Sequence, residues 1–420
     1  MSYRANITSN LINKILHLVL GFVGSIIIAR VLGPAGQGYV AYITLVFTMI
    51  GSYGHLGLNN AVMYFYKRKK IPANHLYYVN TTFLTLIFFI IAAIVLTLKK
   101  LDLILPDYPM SWVLGGLVLV IASFYYYNNY SWYIANEHIR QANRRNIAVF
   151  LLKSLAIIIL GIFNAGYFYW VSVATMFLNA ALLHAGLKKG IKLRWDFDLI
   201  KREYAYGFII FLAAAFDHLH LRVDQLYINA MLGNAQLGIY TLSVTLSELM
   251  FMVPASITTA LTARLYNLND EHSSADIMAK TFKITLYVCV ALALLAIPAS
   301  FLIPLVYGKD FTAAIYSTLI LMPGVVFASL ARVATPYFFT SGRPKVHMVV
   351  ALTALIINCI LNYPFIRLWG INGAALASTF SYFVYGCSYI YILTCKEGFK
   401  VRDLVYLKAS EIKDLLRRRA

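Results

Sequence analysis

Charge is what this chain has least of. Only 13% of its 420 residues are charged, with 17 acids against 36 lysines and arginines. A soluble domain carries about 25% charged residues, so no soluble domain of useful size is expected here. Cysteines are also few: Cys289, Cys359, Cys387 and Cys395 lie in or at the end of apolar runs, with no CxxC pair. They read as small buried hydrophobes and imply neither a disulfide nor a metal site. HExxH, a serine nucleophile elbow and a spaced acid pair in a large loop are all missing. The string GPAGQG at 33–38 has no strand before it and no Lys-Ser/Thr after it, which argues against nucleotide binding. No catalytic residue, metal ligand or cofactor is assigned, and an enzyme is not expected.

Apolar residues are what the chain has most of, at 60%. Runs of about 20 apolar residues recur along its length, each long enough to cross a hydrocarbon core of about 30 Å. The predicted class is an all-α polytopic membrane protein with about 12 transmembrane helices. The first half holds 8–31, 38–66, 77–98, 111–134, 146–165 and 168–187. The second holds 204–231, 238–263, 282–305, 314–340, 347–367 and 372–394. Arg4 is the one early basic residue, and no small-residue cleavage site follows the first run, so that helix is expected to be kept.

One loop occurs twice. LGPAGQG at 32–38 and LGNAQLG at 232–238 share Leu, Gly, Ala and Gly at matching positions, and each joins two long apolar segments. A parallel duplication of six helices follows, a plan that puts the working site where the halves meet. The expected domains are 1–190 and 204–395 as six-helix bundles, 191–203 as a connector and 396–420 as a basic tail.

The net charge of +19 lies in short connectors on alternate loops, including 67–70, Arg140, Arg144, Arg145 and 188–202. That is the positive-inside pattern; it argues against nucleic acid and puts both termini in the cytoplasm. In the tail, Val401, Leu404, Val405, Ile412, Leu415 and Leu416 fall near helical spacing among basic residues. This spacing suits an amphipathic helix on anionic lipid, or else a solvated tail.

Charges inside apolar runs are costly and mark bundle interiors or wet cavities. Lys14 and His17 lie on helix 1, Lys153 on helix 5, Glu248 on helix 8 and Arg332 on helix 10. Lys14 can also snorkel to the interface. Helix 7 holds FDHLHLRVDQ, in which Asp217, His220 and Asp224 form one stripe and His218, Arg222 and Gln225 the next. This face lines a cavity or forms an ion-pair seam. The intramembrane charge is basic overall, which favours an anionic ligand. On helix 4, FYYYNNYSWY places Tyr126, Tyr130 and Tyr133 near one face, either for sugar stacking or as an interfacial belt.

The opening SNLINKILHLVLGFVGSIIIARVLGPAGQGYVAY resembles the first hairpin of Wzx-type polysaccharide (O-antigen or capsule repeat-unit) flippases. These are members of the multidrug, oligosaccharidyl-lipid and polysaccharide exporter superfamily. LRVDQLYINAMLGNAQLGIYTLS, VPASITTALTARL, VYGKDF, TSGRPKVHMVV and INGAALASTFSY are similar to later landmarks. The resemblance implies a V-shaped, MATE-like pair of bundles in the bacterial inner membrane. They would move undecaprenyl-diphosphate-linked oligosaccharide to the outer leaflet by alternating access. It also implies that Arg222, Lys14 and Arg332 receive the diphosphate; Lys153, His17 and Tyr130 complete the candidate substrate cavity. Asp217, Asp224, Glu248 and His220 are the candidates for coupling to H+ or Na+. The expected partners are the lipid-linked oligosaccharide, membrane lipid, and polysaccharide polymerase and chain-length proteins, with a monomer sufficient. The alternatives are an ion-coupled drug or cation antiporter of the same fold, and a membrane enzyme or partner protein of envelope glycan synthesis.

Overall fold

The computed structural model describes residues 3–136, 138–160, 166–187, 189–190, 192–266, 271–341 and 343–406. The side chains of 3–19, 60, 63, 67, 68, 210, 253, 259, 260, 262–264, 266 and 271–274 lie outside the description. Every regular element among these residues is helical. In chain order the α-helices are α1 Tyr3–Tyr53, α2 Leu58–Met63, α3 Ala73–Lys100, α4 Met110–Ala135, α5 Ile139–Leu160, α6 Tyr167–Leu187 and α7 Phe197–His220. There follow α8 Val223–Glu248, α9 Met252–Tyr266, α10 Glu271–Ser300, α11 Ile303–Tyr307, α12 Ala314–Thr340, α13 Pro344–Cys395 and α14 Val401–Val405.

Among the described residues, eight helical stretches are long and apolar enough to cross a membrane. Three of them are composite and bend at a glycine: Gly33 within α1, Gly233 within α8 and Gly370 within α13. Dividing these three, and adding α5, whose Arg140, Arg144, Arg145 and Lys153 lower its hydropathy, recovers the twelve predicted segments.

The duplicated motif is not a loop. It is a one-residue kink, with helix on both sides. Gly33 has φ 62° and ψ −178°, and Gly233 has φ 79° and ψ −178°. That backbone region is open essentially only to glycine. Two positions matched by sequence therefore share one rare geometry, which supports the duplication from the backbone itself. Pro34 restarts the first copy, where its missing N–H would be unbonded anyway. In the second copy the Asn229 side chain donates to Asn234 across the kink at 2.7 Å.

The chain forms two compact units, Met1–Ala215 and Phe216–Ala420. The division falls inside α7 rather than at the 191–203 connector, because that connector and the first turns of α7 are built into unit 1. Leu199 and Ile200 are buried with α3 and α4 residues, and Glu203 accepts a hydrogen bond from Asn80 at 3.1 Å. Gly207 faces Gly57 so closely that a Cβ would sit 2.7 Å from the Gly57 carbonyl oxygen.

Unit 1 is filled by large aromatics, among them Phe47, Tyr77, Phe124, Trp132 and Tyr169. α4 meets α1 at Gly116, where any side chain would collide with the Phe47 ring. In unit 2, α12 packs on α13 through Gly324 and Gly386; a Cβ on Gly386 would lie 2.7 Å from the Phe327 carbonyl oxygen. Small residues let helices approach where lipid offers no hydrophobic drive to associate. The bend at Gly370 returns α13 on itself, and Arg343 and Glu397 at its two ends form a bidentate pair at 2.6 and 2.8 Å.

Of the basic tail, only Val401–Val405 is seen as helix, with Leu404 buried. The rest of that expectation, at 407–420, lies outside the described residues.

Candidate functional site

The predicted helix 204–231 is broken. α7 stops at His220, Leu221 and Arg222 form a turn, and α8 begins at Val223. Arg222 leaves helical geometry at φ −130° and ψ −14°. A helix break inside an apolar stretch exposes backbone groups, which must find partners. The partner here is Asn358 of α13, whose side chain donates to the His220 carbonyl at 2.9 Å. Asn362 in turn donates to Asn358 at 2.6 Å. Both amides are fully buried.

The charged residues gather around this break. Arg222 Nη1 and Nη2 donate to the two Glu248 oxygens, each at 2.8 Å. Asp224, at the start of α8, is buried and accepts three hydrogen bonds: Tyr240 hydroxyl at 2.5 Å, Ser378 hydroxyl at 2.9 Å and the Gln225 N–H at 2.8 Å. Asp217 accepts from the Tyr385 hydroxyl at 2.7 Å. His220 Nε2 is hydrogen-bonded to the Ser381 hydroxyl at 2.9 Å, and its Nδ1 has no partner among the described residues. The Arg332 guanidinium lies 3.9 Å above the Phe251 ring, and no described carboxylate pairs with it.

One expectation needs correcting. The stripes drawn over residues 217–225 assumed an unbroken helix, and the turn at Leu221–Arg222 interrupts them. Arg222 and Glu248, candidates for anion binding and ion coupling, pair with each other, as in the ion-pair seam that was the alternative for this face. Asp224, a coupling candidate, accepts from three donors at the start of α8. The residues that complete the cluster, Tyr240, Asn358, Ser378, Ser381 and Tyr385, were not anticipated. Asn358 and Asn362 were the available signal: two amides one helical turn apart inside an apolar run.

Unit 1 holds a separate feature, a cavity of about 410 Å³ between α4, α5 and α6. Tyr126, Tyr130, Asn143, Asn146, Lys153 and Asn179 line it. The Tyr126 and Tyr130 rings stack with centroids 5.8 Å apart and planes 13° from parallel. Lys153 has no ion-pair partner among the described residues, and the wall contains no carboxylate. The side-chain oxygens of Asn146 and Asn179 are buried without a hydrogen-bond donor. Of the predicted substrate residues, the fold thus brings Lys153 and Tyr130 together. Arg222 and Arg332 lie in unit 2, and the side chains of Lys14 and His17 lie outside the described residues.

Outside the spans, the connector is strapped to α3. Asp196 caps α7 through the Leu199 N–H at 2.9 Å and bonds His75 at 2.8 Å. These two contacts, the Leu199 N–H first, hold its carboxyl below the usual range. Lys189 sits 4.4 Å from the Trp132 ring centroid and 4.7 Å from that of Tyr77. Burial there pushes its ammonium down to about 8.

A sequence profile described as polysaccharide biosynthesis protein matches residues 27–316. The chain belongs to the polysaccharide biosynthesis protein family. No curated protein matches the sequence significantly. Among solved structures, this family member is similar to the lipid II flippase MurJ in an inward closed conformation. The TM-score is 0.71 at 14% identity, over 94% of this chain and 89% of that one. It is also similar to an inward-facing multidrug resistance MATE family transporter of the MOP superfamily, with TM-score 0.68, 13% identity and coverage of 90% and 94%. A MATE transporter from Vibrio cholerae gives 0.64, 13%, 93% and 96%. At such identities the likeness is one of fold: this polysaccharide biosynthesis protein is a multi-pass helical membrane protein built like those transporters.

Proposed function

We propose that this protein is a flippase for undecaprenyl-diphosphate-linked oligosaccharide. It would carry that substrate from the cytoplasmic to the outer leaflet of a bacterial inner membrane, with both its termini in the cytoplasm. The observation that carries the reading is the unit 1 cavity: a space of about 410 Å³ between α4, α5 and α6 whose wall holds Lys153 and, among the described residues, no carboxylate. Moving a glycan across hydrocarbon would strip its hydroxyls and diphosphate of water, at several kcal/mol for each group left unpaired. A polar cavity removes that cost while the polyprenyl chain stays in lipid. Membership of the family supports the substrate class, and the MurJ-like fold supports translocation of a lipid-linked headgroup.

Lys153 in a wall without a carboxylate favours an anionic substrate over a cationic drug at that cavity. Arg332, which no described carboxylate neutralises, is the unit 2 residue assigned to the diphosphate. Coupling to H+ or Na+ is assigned to Asp217, whose Oδ1 accepts from Tyr385 and whose second oxygen has no hydrogen-bond partner among the described residues. Polymerase and chain-length proteins are the expected recipients of the product, and one copy of the chain is sufficient for transport.

The test is the distribution of diphosphate-linked oligosaccharide in cells lacking the protein. Accumulation on the cytoplasmic side with loss of surface polysaccharide is expected. Unchanged lipid-linked sugar with new sensitivity to cationic drugs would replace this reading with the antiporter.

A further inference from the structure

The connector between α6 and α7 carries three large apolar side chains that the described residues leave uncovered. Leu193, Trp195 and Phe197 are 77%, 66% and 75% exposed. They alternate with residues that are tied to the protein. The Arg194 N–H donates to the Thr82 hydroxyl at 2.9 Å, and Asp196 is bonded to His75 and to the Leu199 N–H. A non-helical segment held at Arg194 and Asp196 turns the side chains between and beside them outward. Lys192, Arg194, Lys201 and Arg202 are exposed around the three, and Asp198 is the one exposed acid from 192 to 202.

The partners of this strap fix its depth. α3 has 28 residues, which makes it about 42 Å long against about 30 Å of hydrocarbon. A centred helix leaves about four residues outside at each end, so the boundary crosses α3 near Tyr77. His75 then lies just outside the hydrocarbon and Thr82 about 7 Å inside it. A segment bonded to both crosses the boundary. The side of α3 is fixed as well. His75, Thr82, Leu86 and Phe89 share one stripe at helical spacing, and Leu86 and Phe89 are exposed. Large apolar side chains exposed on a span face lipid, so the strap lies on the lipid side of the helix. A soluble partner would have to reach below the headgroups to cover it. Tryptophan at the boundary, with lysine and arginine beside it, is the composition that anionic lipid surfaces attract.

We infer that the strap is a lipid anchor: Leu193, Trp195 and Phe197 enter the acyl-chain boundary of the adjoining leaflet, and Lys192, Arg194, Lys201 and Arg202 take anionic phospholipid headgroups. It holds the start of α7 at one depth in the membrane. The inference needs only the membrane-spanning fold and is independent of what the protein transports.

Fluorine NMR of the full-length protein, labelled with fluorotryptophan in nanodiscs of phosphatidylcholine and phosphatidylglycerol, tests it. Trp195→Phe identifies the Trp195 signal by its loss. Lipid carrying a nitroxide high on the acyl chain is expected to broaden that signal beyond detection, while a water-soluble gadolinium chelate leaves it sharp. Broadening by the chelate and not by the lipid would put the three side chains in water and overturn the anchor in favour of a soluble partner. Protection from both would overturn it in favour of a protein wall. The headgroup assignment is read by placing the nitroxide on one lipid class at a time in the same mixture. Labelled phosphatidylglycerol should broaden the signal more than labelled phosphatidylcholine. The variant Lys192→Gln/Arg194→Gln/Lys201→Gln/Arg202→Gln should make the two equal. Equal broadening by the two lipids in the wild type would overturn the headgroup assignment.

Discussion

Arg222 and Glu248 form a planar two-bond fork, both N···O distances 2.8 Å, joining the broken end of α7 to the far end of α8. Each side chain is about a quarter exposed, at 23% and 25%. Removal of one partner strands a half-buried charge, whereas removal of both does not. Arg222→Met or Glu248→Gln is therefore expected to cost about 1–3 kcal/mol, discounted from the fully buried range for solvent screening. The double variant Arg222→Met/Glu248→Met should recover part of that loss. Thermal unfolding in detergent across the double-mutant cycle measures the coupling, and additive losses would mean that the fork contributes nothing.

The kinks at Gly33 and Gly233 should behave as twins. Ala at either position must adopt a backbone conformation that costs about 1–3 kcal/mol, although open space surrounds both glycines. Gly33→Ala and Gly233→Ala are expected to lower the unfolding temperature by similar amounts, while Gly190→Ala, also in open space and without positive φ, should not. A neutral Gly233→Ala would show that this kink is not required by the fold.

Asp224 and Asp217 should separate into a brace and a working group. Asp224→Ala leaves the Tyr240 hydroxyl, the Ser378 hydroxyl and the Gln225 N–H without their acceptor, at an expected cost of about 2–4 kcal/mol. Asp217→Asn loses one contact at most, and should cost about 1 kcal/mol or less while changing the H+ or Na+ dependence of transport. Transport by Asp217→Asn with an unaltered ion dependence removes Asp217 from the coupling.

Lys189 offers a pH readout. Its ammonium titrates near 8 because burial beside Trp132 and Tyr77 disfavours the charged form. The folded value lies below the unfolded one of about 10.4. The penalty is therefore full below about 8, and stability rises as pH climbs from there toward the unfolded value. Amine acylation followed by mass spectrometry should give Lys189 a labelling midpoint near 8. Trp132→Leu should move that midpoint back toward the ordinary value; an unmoved midpoint would assign the shift to other neighbours.

The Asp196 strap should fail in acid. Its carboxyl is held below the usual value, so its contribution is present above about pH 4 and lost as pH falls through the lower folded value. Hydrogen exchange at 192–199, corrected for intrinsic rate, should rise at low pH in the wild type. Asp196→Asn should show the faster exchange already at neutral pH. Protection that persists in the variant would mean that the Arg194 N–H to Thr82 hydroxyl bond at 2.9 Å holds the strap by itself.

The class and helix count of this protein are written in its apolar runs, since a hydrocarbon core demands about 20 such residues per crossing whatever the tertiary structure. The duplication was legible too, because the kink admits only glycine and the same residue therefore stands at 33 and 233. Intramembrane charges could be identified as exceptional from cost alone. Their partners could not. Glu248 lies 26 residues from Arg222, and Ser378 lies 154 from Asp224. Such pairs are set by how α8 and α13 pack, not by any local spacing. The break at Leu221–Arg222 was likewise invisible in an unbroken apolar pattern, because what permits it is Asn358, a buried amide 138 residues away. The sequence by itself determined a twelve-span, twice-repeated helical membrane protein with costly interior charge. Only the tertiary structure decided which charges neutralise one another and which, like Lys153, line a cavity with no counter-ion among the described residues. Hydrophobic periodicity is a local property of the chain, whereas charge compensation depends on distance in space.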